Sequence, residues 1–232
     1  LTPNNPESQV IQMIVPSYEK ARFNMVEQQV RPWEVLDAQV LELIGSMPRE
    51  HFVPEKYRGL AYADIEIPLG DGQKMMFPRV EGRLLQALDI QSEEAVLEIG
   101  TGSGYLTACL ARMGGNVISQ EINPEFTEQA RKKLAELGIE NVQLRTTDSL
   151  SDDVESGPFD AIAVTGSLPS IPDNLKQRLA IGGRMFIVTG DAPAMTAYLV
   201  IRQGENDWQT EALFETDIER LINAPVIKKF EF

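Results

Sequence analysis

The most constraining stretch of this chain is Glu98-Ile99-Gly100-Thr101-Gly102-Ser103-Gly104-Tyr105. It ends a short apolar run, residues 95–99, and opens a helical pattern over residues 105–113. Three glycines at alternate positions between a strand and a helix let the backbone turn tightly and approach a ligand that a Cβ would obstruct. A dinucleotide fingerprint would have its third glycine where Tyr105 stands, so a pyrophosphate site fits poorly. No Gly-Lys-Ser/Thr follows, which excludes a P-loop.

The surrounding pattern alternates. Strand-like runs at 95–99, 116–120, 142–145, 159–164 and 184–188 are interleaved with helical patterns at 105–113, 124–137 and around 172–179, and a further helix at 80–88 precedes them. Such alternation argues for a parallel sheet covered on both faces. Two last runs, 197–202 and 208–214, flank Gln203-Gly204-Glu205-Asn206-Asp207 and read as a C-terminal antiparallel hairpin. The expected fold is α/β, a doubly wound, mostly parallel seven-stranded sheet. Upstream, helices are expected over 18–30, stopped by Arg31-Pro32, and over 37–47. Residues 48–80 hold Pro48, Pro54, Pro68, Pro78, Gly59, Gly70 and Gly72 and read as irregular; so long an unpatterned stretch is usually functional. One domain over 1–232 results: a loose tail at 1–17, an N-terminal helical and irregular cap at 18–79, and a cofactor-binding core at 80–232.

Composition removes several functions. A chain of 232 residues with one cysteine and one histidine has neither a disulfide nor the imidazoles that zinc sites and Ser-His-Asp triads use. No metal is expected. The net charge is −14, and none of the segments 1–90, 91–190 and 191–232 is net basic, which argues against nucleic acid. No apolar run is long enough for a membrane span and no export signal shows, so the expected address is a reducing cytoplasm. The oligomeric state is left open.

Two carboxylates sit where a nucleoside needs them. Glu121, followed by Ile122, ends the second core strand, where an acid accepts from both ribose hydroxyls. Asp148, followed by Ser149, comes just after the third and can accept from an adenine amino group. With the loop, they predict a bound adenosine moiety at the carboxyl ends of the strands.

The loop with Glu121 and Asp148 resembles the donor site of class I S-adenosylmethionine-dependent methyltransferases. Within that class the chain is similar to the protein-L-isoaspartate O-methyltransferase family over about residues 20–190. The likeness lies in Val96-Leu97-Glu98-Ile99-Gly100-Thr101-Gly102-Ser103-Gly104-Tyr105, preceded by Pro48-Arg49-Glu50-His51-Phe52-Val53-Pro54, Leu60-Ala61-Tyr62-Ala63-Asp64 and Gly72-Gln73. It continues in Phe159-Asp160-Ala161-Ile162-Ala163-Val164-Thr165 and Gly182-Gly183-Arg184. The resemblance implies a Rossmann-like methyltransferase fold, S-adenosyl-L-methionine as donor and S-adenosyl-L-homocysteine as product. It also implies methyl esterification of isoaspartyl carboxylates in peptides or proteins, a repair reaction.

Carried over residue by residue, the donor site comprises Glu98, Gly100, Thr101, Gly102, Ser103, Gly104, Glu121, Ile122, Asp148, Ser149 and Thr165. The acceptor lid comprises Gln73, Lys74, Met75, Met76, Phe77 and Pro78. Where the family reads Thr-Ile-Ser-Gln-Pro after Gly-Gln, this chain reads Lys74-Met75-Met76-Phe77-Pro78, which puts Met76 at the serine position. A thioether donates no hydrogen bond, so no catalytic residue is assigned; Lys74 is the alternative partner for a carboxylate. Two other readings keep the donor site: transfer to a more apolar acceptor, or binding without turnover. His51 is expected to pack or hydrogen-bond, Cys109 to be a buried hydrophobe, and Lys132-Lys133 to lie on a solvated helix face. No role is read into residues after 190.

Overall fold

The computed structural model describes residues 18–151 and 157–225; the expected tail at 1–17 lies outside them. Helix α1 (Tyr18–Met25) widens into a π turn (Val26–Val30) and tightens into a 3-10 turn (Arg31–Trp33) at Pro32. Helix α2 (Ala38–Ser46) starts where the Asp37 side chain accepts from Val40 N and buries Val40, Leu41 and Ile44.

The stretch expected to be irregular is more ordered than its prolines suggest. It forms a short helix α3 (Arg49–Phe52), a 3-10 turn (Glu55–Leu60) and an antiparallel hairpin, β1 (Ile67–Gly70) with β2 (Gln73–Met75). Gly70, Asp71 and Gly72 all take positive φ in its turn. The Asp71-Gly72 pair was a hairpin signal, but strands of four and three residues are too short for alternation to register. Helix α4 (Pro78–Leu88) follows, with Pro78 in its first turn, where a missing N–H costs nothing.

The core sheet has seven strands: β3 (Ala95–Ile99), β4 (Asn116–Glu121), β5 (Val142–Thr146), β6 (Phe159–Leu168), β7 (Leu179–Asp191), β8 (Ala194–Gly204) and β9 (Asp207–Thr216). Their order is β5-β4-β3-β6-β7-β8-β9. The first five run parallel and β8 is antiparallel to both neighbours, as the alternation and the terminal hairpin predict. Helices α5 (Tyr105–Arg112), α6 (Pro124–Glu136) and α7 (Asp173–Gln177) fill the crossovers. Chain order reverses at β3, whose neighbours are β4 and β6, so the crevice for a ligand opens at its carboxyl end.

Side-chain alternation divides the core. Val96, Ala161, Ala163, Phe186 and Val188 face the N-terminal helices, in one cluster with Ile44, Phe52, Leu84 and Leu85. Leu97, Ile99, Ile162, Val164, Met185 and Ile187 face the other way. Glu98 shares the face of Val96 and therefore points beneath α5. Strand β6 runs four residues past its expected end, and its pairing with β7 slips between Ala163 and Ser167. That irregularity frees Thr165 and Gly166 from the ladder at the crevice. Among the described residues, no helix is long and apolar enough to cross a membrane.

Candidate active site

The glycine loop is shaped by what surrounds it. Gly100 has φ +96°, and a Cβ there would lie 2.3 Å from Thr165 Oγ1, so both the conformation and the space require glycine. Its N–H donates to Gln120 O at 2.8 Å, tying the loop to β4. Gly102 N donates to Glu121 Oε2 (2.8 Å) and Asn123 N to Glu121 Oε1 (2.9 Å). Glu121 is thus held by two backbone donors, each oxygen keeping lone-pair capacity for a further hydrogen bond.

Below the loop, Glu98 is fully buried. Its Oε2 accepts from Thr107 Oγ1 and Ser119 Oγ, both at 2.5 Å, and Ser119 Oγ lies 2.6 Å from Thr101 Oγ1. Burial pushes the Glu98 carboxyl up to about 8, the two hydroxyls opposing it and Glu121 reinforcing it. Oε1 has no protein partner.

A cleft open to solvent runs from this loop to the β1–β2 hairpin. Of the expected donor residues, Gly100, Gly102, Glu121, Ile122, Asp148, Ser149 and Thr165 line it. Glu98, Thr101, Ser103 and Gly104 do not: Glu98 and Thr101 lie in the hydroxyl network underneath, and Ser103 and Gly104 lead into α5. Asp148 Oδ1 accepts from Leu150 N (3.0 Å) and Oδ2 from Asn223 Nδ2 (2.9 Å). Thr165 Oγ1 sits 2.9 Å from Ile99 O and 2.7 Å from Gly100 O. Of the acceptor lid, Gln73, Lys74 and Met76 line the cleft. Met75 turns into the core, Phe77 lies under the Arg79 guanidinium at 4.1 Å, and Pro78 starts α4. Three of the six expected lid residues therefore face the cleft.

Against this geometry stand the relatives. The family profile for protein-L-isoaspartate(D-aspartate) O-methyltransferase matches residues 21–217. A protein-L-isoaspartate O-methyltransferase 1 of Syntrophobacter fumaroxidans is 39% identical over 184 residues, 79% of this chain and 86% of its own. One from Rhodopseudomonas palustris is 38% identical over 207 residues, 89% and 84% of the two chains. The chain belongs to this family. It is accordingly an S-adenosylmethionine-dependent O-methyltransferase. A solved Plasmodium falciparum structure, described as a protein-L-isoaspartate O-methyltransferase in complex with S-adenosyl-L-homocysteine, shares the fold. Its TM-score is 0.76 at 21% identity, covering 86% of this chain and 97% of that one.

Family membership puts weight on contacts that motifs alone did not reveal. Arg49 is fully buried, pairs with Glu81, donates to Met76 O at 2.9 Å and stacks 4.6 Å over Tyr105. It thereby joins Met76 to Tyr105, the residue that follows the glycine loop. Lys133, expected in solvent beside Lys132, is half-buried instead; its Nζ donates to Phe52 O (2.9 Å) and lies 3.4 Å from Ser103 O, and burial lowers its pKa. His51 packs edge-on to Phe52 with Nε2 3.2 Å from Glu136, outside the cleft. Cys109 is buried. Gln120, also buried, lines the cleft with Oε1 unpartnered. Ile218, Glu219, Leu221 and Ile222 close one wall, from a segment past the family match in which no motif was read.

Proposed function

We propose that this chain transfers the methyl group of S-adenosylmethionine to the free carboxylate of isoaspartyl residues in peptides and proteins, as a repair enzyme. One observation carries the reading: a single cleft brings the glycine loop and Glu121 together with Lys74 and Met76. The residues present fit the donor. Gly100 lets the loop close against Thr165 at the mouth of the cleft, where a Cβ would collide, Glu121 offers a carboxylate for a diol, and the unpartnered Gln120 Oε1 offers a further acceptor. Ile122, Phe126 and Leu150 supply apolar wall for a base, and Asp148 with Ser149 would face its amino edge.

When bound, S-adenosylmethionine supplies an electrophilic methyl on a sulfonium centre. This chain's own task is then alignment, because in-line displacement gains most from positioning. A carboxylate acceptor is already ionised near pH 7 and needs no general base, consistent with a cleft lined by no histidine among the described residues. Thr165, pinned to the loop carbonyls, and Met76, held through Arg49, border the reacting region. Residues 18–79 act as a cap on the 80–232 core. A cytoplasmic address belongs to the same reading.

The test is transfer of labelled methyl to an isoaspartyl peptide, with the aspartyl peptide as control. Selective labelling of the isoaspartyl form is expected. No labelling, with S-adenosylhomocysteine still bound in calorimetry, would favour a more apolar acceptor, the reading supported by Met76, Leu69, Ile218 and Leu221 in the same wall.

A further inference from the structure

Among the described residues, the titratable groups lining the cleft are Glu66, Glu121, Asp148 and Glu219, with Lys74 as the sole base. Glu121 and Asp148 are already engaged by loop donors and by Asn223. An anionic acceptor entering this cleft therefore has one cation to meet. That cation is taken: Lys74 Nζ lies 2.5 Å from Glu219 Oε1 and 3.4 Å from Glu66 Oε2.

We infer that Glu219 stands in for the acceptor carboxylate, occupying Lys74 until a substrate carboxylate displaces it, and so sets acceptor affinity. The inference rests on the isoaspartyl reading above. Three features support an exchange. First, both side chains are about two-fifths exposed, at 37% and 41%, so water reaches the pair and swapping one carboxylate for another at Lys74 is nearly neutral. Second, the Glu219 backbone is anchored independently of its side chain: Ser167 N donates to Glu219 O at 2.8 Å, and the neighbouring Arg220 pairs with Asp191. The carboxylate can swing away while the wall formed by Ile218 and Leu221 stays. Third, the fold holds the Glu219 carboxylate beside Lys74 at all times, and Glu66 with Glu219 leaves this rim net negative by one charge. Both effects oppose an incoming anion. Glu219 and Glu66 also hold the Lys74 ammonium above the usual lysine range, so the cation persists at neutral pH whichever carboxylate it meets.

The experiment compares wild type, Glu219→Gln, Lys74→Met and the double variant. Initial rates are read on an isoaspartyl peptide at saturating S-adenosylmethionine, and S-adenosylhomocysteine affinity is read by calorimetry. Glu219→Gln is expected to lower KM about two- to fivefold, the range one exposed ion pair is worth, with a smaller change in kcat. Lys74→Met is expected to raise KM, and in its background Glu219→Gln should no longer lower it. An unchanged or higher KM for Glu219→Gln, or an equal drop without Lys74, overturns the inference. Weaker S-adenosylhomocysteine binding by Glu219→Gln also overturns it and assigns the residue to the donor. If wild type labels no isoaspartyl peptide, the acceptor reading itself falls and this inference with it; an active wild type with an unresponsive Glu219→Gln sinks the inference alone.

Discussion

Replacing Glu98 with Gln isolates the cost of one buried carboxyl. Glu98 has no cation beside it, two hydroxyls on Oε2 and nothing on Oε1, and its pKa is pushed from 4.5 to about 8 by burial. The folded state therefore holds a proton that the unfolded chain releases above pH 4.5. Folding stability falls as pH rises across the window from 4.5 to 8, at about 1.4 kcal/mol per unit. The loss reaches about 3 kcal/mol at pH 7 and levels near 5 kcal/mol above pH 8, as an order of magnitude. Gln keeps the shape and the hydroxyl partners but does not titrate. Urea unfolding of both proteins at pH 5, 7 and 9 reads the difference directly, since titrating groups not coupled to Glu98 cancel. The variant should gain on wild type with each step in pH. A difference that stays flat from pH 5 to 9 would refute the argument and mean that Glu98 is ionised in the folded protein at no cost.

Gly100→Ala should destabilise the fold by about 1–3 kcal/mol, because it forces a side chain into positive φ and against Thr165; thermal melting checks this, and S-adenosylhomocysteine affinity should fall with it. Arg49→Met should cost about 3–5 kcal/mol by leaving Glu81 unpaired in the core, whereas Arg49→Met with Glu81→Leu should recover much of that in the same unfolding assay. The double variant should stay impaired in methyl transfer, since Met76 O and Tyr105 lose their shared support. Glu121→Ala should weaken donor binding about ten- to hundredfold in calorimetry, the worth of charge-assisted hydrogen bonds to a diol; full affinity would remove Glu121 from the donor site.

For the core sheet, the order of elements, the strand count and the position of the glycine loop were legible in the chain. Each depends on local chemistry: alternating periodicity, caps, and glycines where the backbone must turn. The chain also showed that Glu121 ends one strand and Asp148 follows the next, and parallel strands carry their carboxyl ends to one edge of a sheet, so a shared crevice followed. Motif resemblance reached the family through several short stretches.

Contacts between distant segments were not legible. Glu98 sits in the motif, yet the pleat of β3 sends it under α5 to Thr107 rather than into the cleft. Lys133 has an ordinary sequence setting, and only the packing of α6 against α3 turns its ammonium toward Phe52 O. Residues 218–223 carry no motif, but the parallel bridge from Ser167 to Arg220 lays them over the glycine loop. Spacing along the chain reports which residues share an element and a face. It does not report which charges meet across a sequence separation of 145, as Lys74 and Glu219 do; closure of the tertiary fold decides that.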